Sequence, residues 1–375
     1  MEIVTDNLKL IVMDNFLDFG KKVDYHLKLM NGKPLDGTFS YMVPVELPRF
    51  SNGESKAVLK ETVRDKDVYI LSDVGNYSCT YHMYGFTNHK STDDHFQDIK
   101  RVISACDGSP SQISTIMPLL PYSRQHKKQS RESLDCSMGL KELENMHVRR
   151  IITFDAHNKD TCDNAVSSYT TFENPYPTYT ILSKFIENED IDYKNLLVIS
   201  PDGGAFDRAR YYANLLGTDV GTFYKRRDLS KIVNGKSPVV EHKYLGAEVT
   251  DKNIIIVDDM IASGGSILEV AQRLKEKGAN KIYLITSFAL FTEGKNSVDC
   301  FQKSYENGYF NKLYTTNLSY VPEYIQSLDW FSQADCSKYM AKFINTLNHH
   351  ESISFLLDRE IQHEKILQKI KMVNK

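Results

Sequence analysis

The sequence is short of most features that would take a chain outside ordinary globular proteins. Its six cysteines (Cys79, Cys106, Cys136, Cys162, Cys300 and Cys336) form no Cys-x-x-Cys pair, so neither a zinc site nor a disulfide framework is suggested and reduced thiols are expected. No stretch approaches the roughly 18 apolar residues of a membrane span, and the opening MEIVTDNLKLIVMDN lacks a basic segment before a long apolar run. A cytoplasmic protein without membrane contact is expected. Charge is also nearly balanced, with 46 Lys+Arg against 49 Asp+Glu and a net charge of −3. Such a chain has no overall field to hold a polyphosphate backbone, and nucleic acid is not an expected partner. Neither G-x-x-x-x-G-K-[ST] nor G-x-G-x-x-G occurs, which argues against P-loop and dinucleotide-binding readings. No repeat of 20 to 50 residues is visible, so a solenoid is not expected.

What is present is a 375-residue chain, 41% hydrophobic, long enough for about two domains with real cores. Short β-branched runs alternate with segments of helical period, the pattern of an α/β protein with mostly parallel sheets. Strands are expected at Leu8–Met13, Val68–Leu71, Ile113–Leu120, Ile151–Phe154, Leu196–Ser200, Ile254–Val257 and Lys281–Ser287. Helices are expected from Ala205 to Leu216, stopping at Gly217, and from Ile267 to Leu274, stopping before Gly278. A division follows into residues 1–165, 166–350 and a tail 351–375. Residues 73–95 and 225–242 read as long loops, and 359–375 reads as a solvated terminal helix.

The sharpest chemical signal is IIIVDDMIASGGSI, from Ile254 to Ile267. A buried strand leads to two carboxylates, a Ser/Gly loop and a helix. Gly264 and Gly265 remove side chains so that backbone N–H groups can close on an anion, Ser263 and Ser266 add hydroxyls, and the helix dipole favours negative charge. That is a phosphate cradle. Asp258 and Asp259 would repel the phosphate itself and suit sugar hydroxyls beside it. His157 and Asp202 each follow a strand, and Lys225 and Arg227 open a basic segment.

This cradle resembles the ribose-phosphate loop of the type I phosphoribosyltransferase fold. Five further segments narrow the resemblance to the ribose-phosphate diphosphokinase (phosphoribosyl pyrophosphate synthetase) family: RFSNGES (Arg49–Ser55), PYSRQ (Pro121–Gln125), FDAH (Phe154–His157), SPDGG (Ser200–Gly204) and YKRR (Tyr224–Arg227). The longer length is similar to a divergent bacterial branch.

The resemblance implies two phosphoribosyltransferase-like α/β domains, each a mostly parallel sheet flanked by helices. It implies transfer of the diphosphoryl group of Mg-ATP to the 1-hydroxyl of ribose 5-phosphate. Phe50, Asn52 and Glu54 match the family's adenine-contacting loop, and Arg124 and Gln125 its ATP-phosphate clamp. His157 and Asp202 match positions associated with Mg²⁺. Lys225 and Arg227 match the cations on the transferring group, and Asp258, Asp259, Ser263, Gly264, Gly265 and Ser266 the ribose-phosphate site. Because the family's adenine loop serves a neighbouring subunit, a homo-oligomer is implied, dimer-based and up to a hexamer.

The chain departs from the family pattern at Ala262 and His126, where an acid is common, and at Phe288, where many members carry a histidine. Three other readings compete: a phosphoribosyltransferase, transfer to another ribose-phosphate acceptor, and a catalytically silent regulatory homologue.

Overall fold

The computed structural model describes residues 7–128, 130–227 and 239–373, with the backbone alone described at 225–227 and 239–242. Two compact units emerge. The first comprises Met1–Tyr176, Asn317–Tyr320 and Asp335–Leu357, and the second Pro177–Thr316, Val321–Ala334 and Asp358–Lys375. A linear cut at 165 and 350 does not contain the two segments that return to the first unit.

In the first unit, five parallel strands lie in sequence order: β1 (Leu8–Val12), β2 (Asp67–Leu71), β3 (Gln112–Ile116), β4 (Arg150–Ile152) and β5 (Thr171–Glu173). Helices α1 (Leu17–Met30), α2 (Thr92–Ala105), α3 (Asp135–Asn145) and α4 (Lys159–Asp163) connect them. All five residues of β2 are buried, as a strand covered on both faces requires. Ser91 caps α2 in a reciprocal arrangement with Asp94. The returning helix Ser337–Asn348 packs on α1, where Asn31 donates to Asn345 Oδ1 at 2.7 Å.

The second unit follows with α5 (Thr178–Asn188) and then a seven-stranded sheet. Its strands are β6 (Leu196–Ser200), β7 (Asp219–Arg227), β8 (Val239–Leu245), β9 (Asn253–Ile261), β10 (Ile282–Ala289), β11 (Lys312–Thr316) and β12 (Phe331–Ala334). The order is β8-β7-β6-β9-β10-β11-β12, parallel except for the antiparallel β7–β8 pair at one edge. Helices α6 (Phe206–Leu216), α7 (Gly265–Glu276) and α8 (Lys295–Glu306) belong to this unit. Gly217 ends α6 at φ +65°, where a left-handed residue closes the last turn onto Ala213 O.

Three expectations change. The 73–95 segment contains a hairpin, Thr80–Met83 with Phe86–His89, before α2 begins. The 225–242 segment contributes its ends to β7 and β8, and residues 228–238 lie outside the described residues. The helix Arg359–Val373 is not free in solvent, because Gln362, Ile366 and Ile370 form a buried i, i+4, i+8 stripe against the second unit. Tyr211 Oη donates to Gln362 Oε1 at 2.8 Å and Lys369 pairs with Glu187 at 2.6 Å. Among the described residues no helix is long and apolar enough to cross a membrane.

Candidate functional site

Parallel pairing of β6 with β9, Leu196 opposite Asn253, opens both strands at one edge of the second sheet, where α/β sheets bind ligands. After β6, Asp202 Oδ1 accepts from the N–H groups of Gly204 (2.9 Å) and Ala205 (3.3 Å), folding the glycines into a helical turn that feeds α6. The neighbouring strand does not stop at its carboxylates. It runs on to Ile261, with Asp258 opposite Thr286 and Met260 opposite Phe288, because β10 is long enough to keep pairing. Phe288 is therefore buried, 1% exposed, within the sheet.

The two acids have separate environments. Asp259 is buried and Asp258 half-buried. Asp258 Oδ1 accepts from the Asp259 N–H at 2.9 Å, and Asp259 Oδ1 from the Met260 N–H at 2.8 Å. Burial, and then the like charge of Asp259, hold the Asp258 carboxyl well above the usual carboxylate range; Arg208 pulls it back and Asp202 pushes it further up. Arg208 was not singled out in the sequence. Its signal was a cation in the first turn of a helix, against the dipole.

Beyond β9 the chain turns into α7. Gly264 is the N-cap at φ +88°, and no side chain caps the helix, so its first N–H groups lack the usual side-chain acceptor. A Cβ on Gly264 would meet Phe301 Cε2 at 2.2 Å, whereas a Cβ on Gly265 would meet nothing within 4 Å. One glycine is needed by the backbone and its packing; the other leaves open space above the helix start. Ser263 is half-buried, and Gly265 and Ser266 are exposed. The arrangement can receive a phosphate-sized anion beside two carboxylates.

Lys225 and Arg227 lie in β7, paired in register with His242 and Val239, with a bulge between Arg226 and Arg227. Their side chains lie outside the described residues.

In the first unit, the loops after β3 and β4 are tied together. Thr153 Oγ1 and the Phe154 N–H both donate to Pro118 O at 2.9 Å. Arg124 is exposed. Gln125 donates from Nε2 to Lys127 O (3.1 Å) and Ser133 O (3.0 Å), so its amide braces its own loop. The rings of His126 and His157 are 5.2 Å apart between centroids. Burial, and then His157, lower the His126 imidazole below its ordinary value.

RFSNGES is a tight turn. Phe50 N–H donates to Glu54 O at 2.7 Å, Asn52 Nδ2 to Glu54 Oε2 at 3.0 Å, and Arg49 to Gly53 O at 3.0 Å. Arg49 also pairs with Asp94 at 3.1 Å and lies over the Tyr81 ring. The result is a braced loop that leaves Phe50 53% exposed. The structure thus groups Asp202, Asp258, Asp259 and Ser263–Ser266 in one unit, and Arg124, Gln125 and His157 in the other.

Among the described residues no cluster of three or more His, Cys, Asp or Glu is set to hold a metal ion. A single carboxylate such as that of Asp202 suits a hard cation that keeps most of its shell as water and phosphate oxygens, not a protein cage.

Residues 8–146 match the N-terminal domain of ribose phosphate pyrophosphokinase, and residues 179–311 match the phosphoribosyl transferase domain. Ribose-phosphate pyrophosphokinase 2 of Schizosaccharomyces pombe is 26% identical over 356 residues, covering 94% of this chain and 98% of that protein. The ribose-phosphate pyrophosphokinase of Ralstonia nicotianae is 30% identical over 275 residues, covering 72% of this chain and 74% of its own. The crystal structure of phosphoribosylpyrophosphate synthetase from Mycobacterium smegmatis shares the fold, with a TM-score of 0.73 and 18% identity over 92% of this chain and 99% of that one. With both domain types present in order and the Schizosaccharomyces pombe protein aligned over nearly its whole length, the chain belongs to the ribose-phosphate pyrophosphokinase family.

Proposed function

We propose that this chain transfers the diphosphoryl group of ATP to the 1-hydroxyl of ribose 5-phosphate, giving 5-phosphoribosyl 1-diphosphate and AMP. The observation that carries the reading is the start of α7: uncapped N–H groups, one glycine facing open space, and two carboxylates on the strand that leads there. The 5-phosphate would rest on Ser263, Gly264, Gly265 and Ser266, and Asp258 and Asp259 would accept hydrogen bonds from the ring hydroxyls. Oriented in this way, the 1-hydroxyl attacks the β-phosphorus in line and AMP leaves. Lys225 and Arg227 supply positive charge where the transferring group gains negative charge.

On the nucleotide side, Phe50 would stack on the adenine, Asn52 and Glu54 would read its edge, and Arg124 would hold phosphate as a fork of donors. Gln125 would contribute by shaping that loop. Mg²⁺ carried by the nucleotide would neutralise phosphate charge when bound, with His157 as a candidate donor in the first unit and Asp202 as a separate candidate donor in the second. Because the family's adenine loop serves a neighbouring subunit, the working form is a homo-oligomer, in the cytoplasm.

The test is direct. Purified protein is incubated with Mg-ATP and ribose 5-phosphate, and products are followed by phosphorus NMR. AMP and 5-phosphoribosyl 1-diphosphate should appear together and in equal amounts. AMP formed only with a different acceptor, or no diphosphoryl transfer at all, would overturn the reading.

A further inference from the structure

Two buried thiols lie beneath the loops that follow β3 and β4. Cys136 is in the first turn of α3, an 11-residue helix, and Cys162 is in α4. Their Sγ atoms are 3.8 Å apart. The Cys136 N–H donates to Gln125 O at 3.4 Å, so the loop bearing Arg124 and Gln125 is fastened to the turn that carries this thiol. Cys162 belongs to the helix that Asn158 caps, one residue after His157, with Asn158 Oδ1 accepting from Thr161 N–H at 2.9 Å. A bond between the two sulfurs would join the two loops at their base. Reaching the ~2.05 Å of a disulfide asks each side chain to move by about an ångström.

We propose that Cys136 and Cys162 form a dithiol–disulfide switch, closed by hydrogen peroxide, that locks the Arg124–Gln125 loop to the His157 loop. Cys136 is the attacking sulfur. The N-terminal turn of α3 favours its thiolate, and the sulfur–sulfur contact holds the Cys136 thiol below its ordinary value while it pushes Cys162 up. The Cys136 thiolate attacks one peroxide oxygen, the O–O bond breaks, and hydroxide leaves and takes a proton to become water. The Cys162 thiol then attacks the sulfur of the resulting sulfenic acid, forming S–S and releasing a second water. The dithiol loses two electrons and two protons, and the peroxide is reduced to two waters. Both thiols are buried, at 2% and 1% exposure, so the oxidant reaches them when the loops part.

The consequence for nucleotide rests on the ATP-side reading above, and the experiment separates the two. The full chain is treated with peroxide, remaining thiols are alkylated, and peptides are mapped by mass. A peptide pair joined through Cys136 and Cys162 should appear, lighter by two hydrogens, reversed by dithiothreitol and absent from Cys136→Ser and Cys162→Ser. Amide exchange at residues 121–127 and 154–158 should slow in the joined form. The switch is overturned if the exposed Cys300 is oxidised while Cys136 and Cys162 stay reduced, or if the bridge forms and neither loop changes its exchange. The apparent KM for ATP should shift several-fold in the oxidised protein and not in peroxide-treated Cys136→Ser. A bridge that slows exchange without moving that KM counts against the nucleotide reading of the loop, and the switch stands.

Discussion

Both units place a carboxylate just beyond or within the end of a buried parallel strand, and the two are used in opposite ways. Asp73, two residues past β2, is fully buried. It accepts from Gly75 N–H at 3.0 Å, Ser319 Oγ at 3.1 Å and Tyr320 N–H at 2.6 Å, fastening the returning segment 317–320. Asp258 in β9 is half-buried and faces a charged set of Asp259, Asp202 and Arg208. A strand-end acid is therefore not a site in itself. What separates structure from chemistry is whether its acceptor sites are already filled by the fold.

The comparison is sharpened first where the largest effect is expected. Replacing Lys225 and Arg227 together with alanine should lower kcat by roughly 10³-fold, with the KM for ribose 5-phosphate within a few-fold. An unchanged kcat would take these cations out of the transfer step. Asp258→Asn should lower kcat/KM for ribose 5-phosphate by about 10²-fold and leave the melting temperature unchanged, while Asp73→Asn should do the reverse. Equal kinetic losses at both would break the contrast. Within the cradle, Gly264→Ala collides with Phe301 at a left-handed residue and should cost about 2–3 kcal/mol in unfolding experiments. Gly265→Ala, facing open space, should leave stability within about 0.5 kcal/mol and raise the KM for the sugar phosphate.

A smaller effect concerns pH. Burial raises the Asp73 carboxyl from 3.8 to about 7. Between those values the folded chain keeps a proton that the unfolded chain has released, so this contribution is complete below about pH 4 and is lost as pH rises to about 7. Asp73→Asn should flatten that slope in urea titrations run from pH 5 to 8. An unaltered slope would mean that another group sets it.

How much of this was legible in the sequence depends on local pattern. β6 and the helix ending at Gly217 were readable because apolar runs and a left-handed glycine cap leave direct marks. The antiparallel pair β7 and β8 was not, since GTFYKRR and EHKYL carry the charge of a loop; β7 is placed by its pairing with β6, and β8 by its pairing with β7. The hairpin at 80–89 turns on Tyr84 and Gly85, both at positive φ, and tyrosine hides a turn usually announced by Asn-Gly. The turn into α7 was legible because Gly264 answers a backbone demand at a single place. Arg208 and the filled partners of Asp73 were not, because they depend on which segments meet in space.

The most direct measurement of the central claim is amide NMR of the full chain titrated with ribose 5-phosphate. The N–H signals of Gly265, Ser266 and Ile267 should shift in a saturable way, while those of Gly75 and Tyr320 around Asp73 stay in place. Shifts at Gly75 and Tyr320, with the start of α7 silent, would contradict the assignment of the sugar phosphate to the second unit.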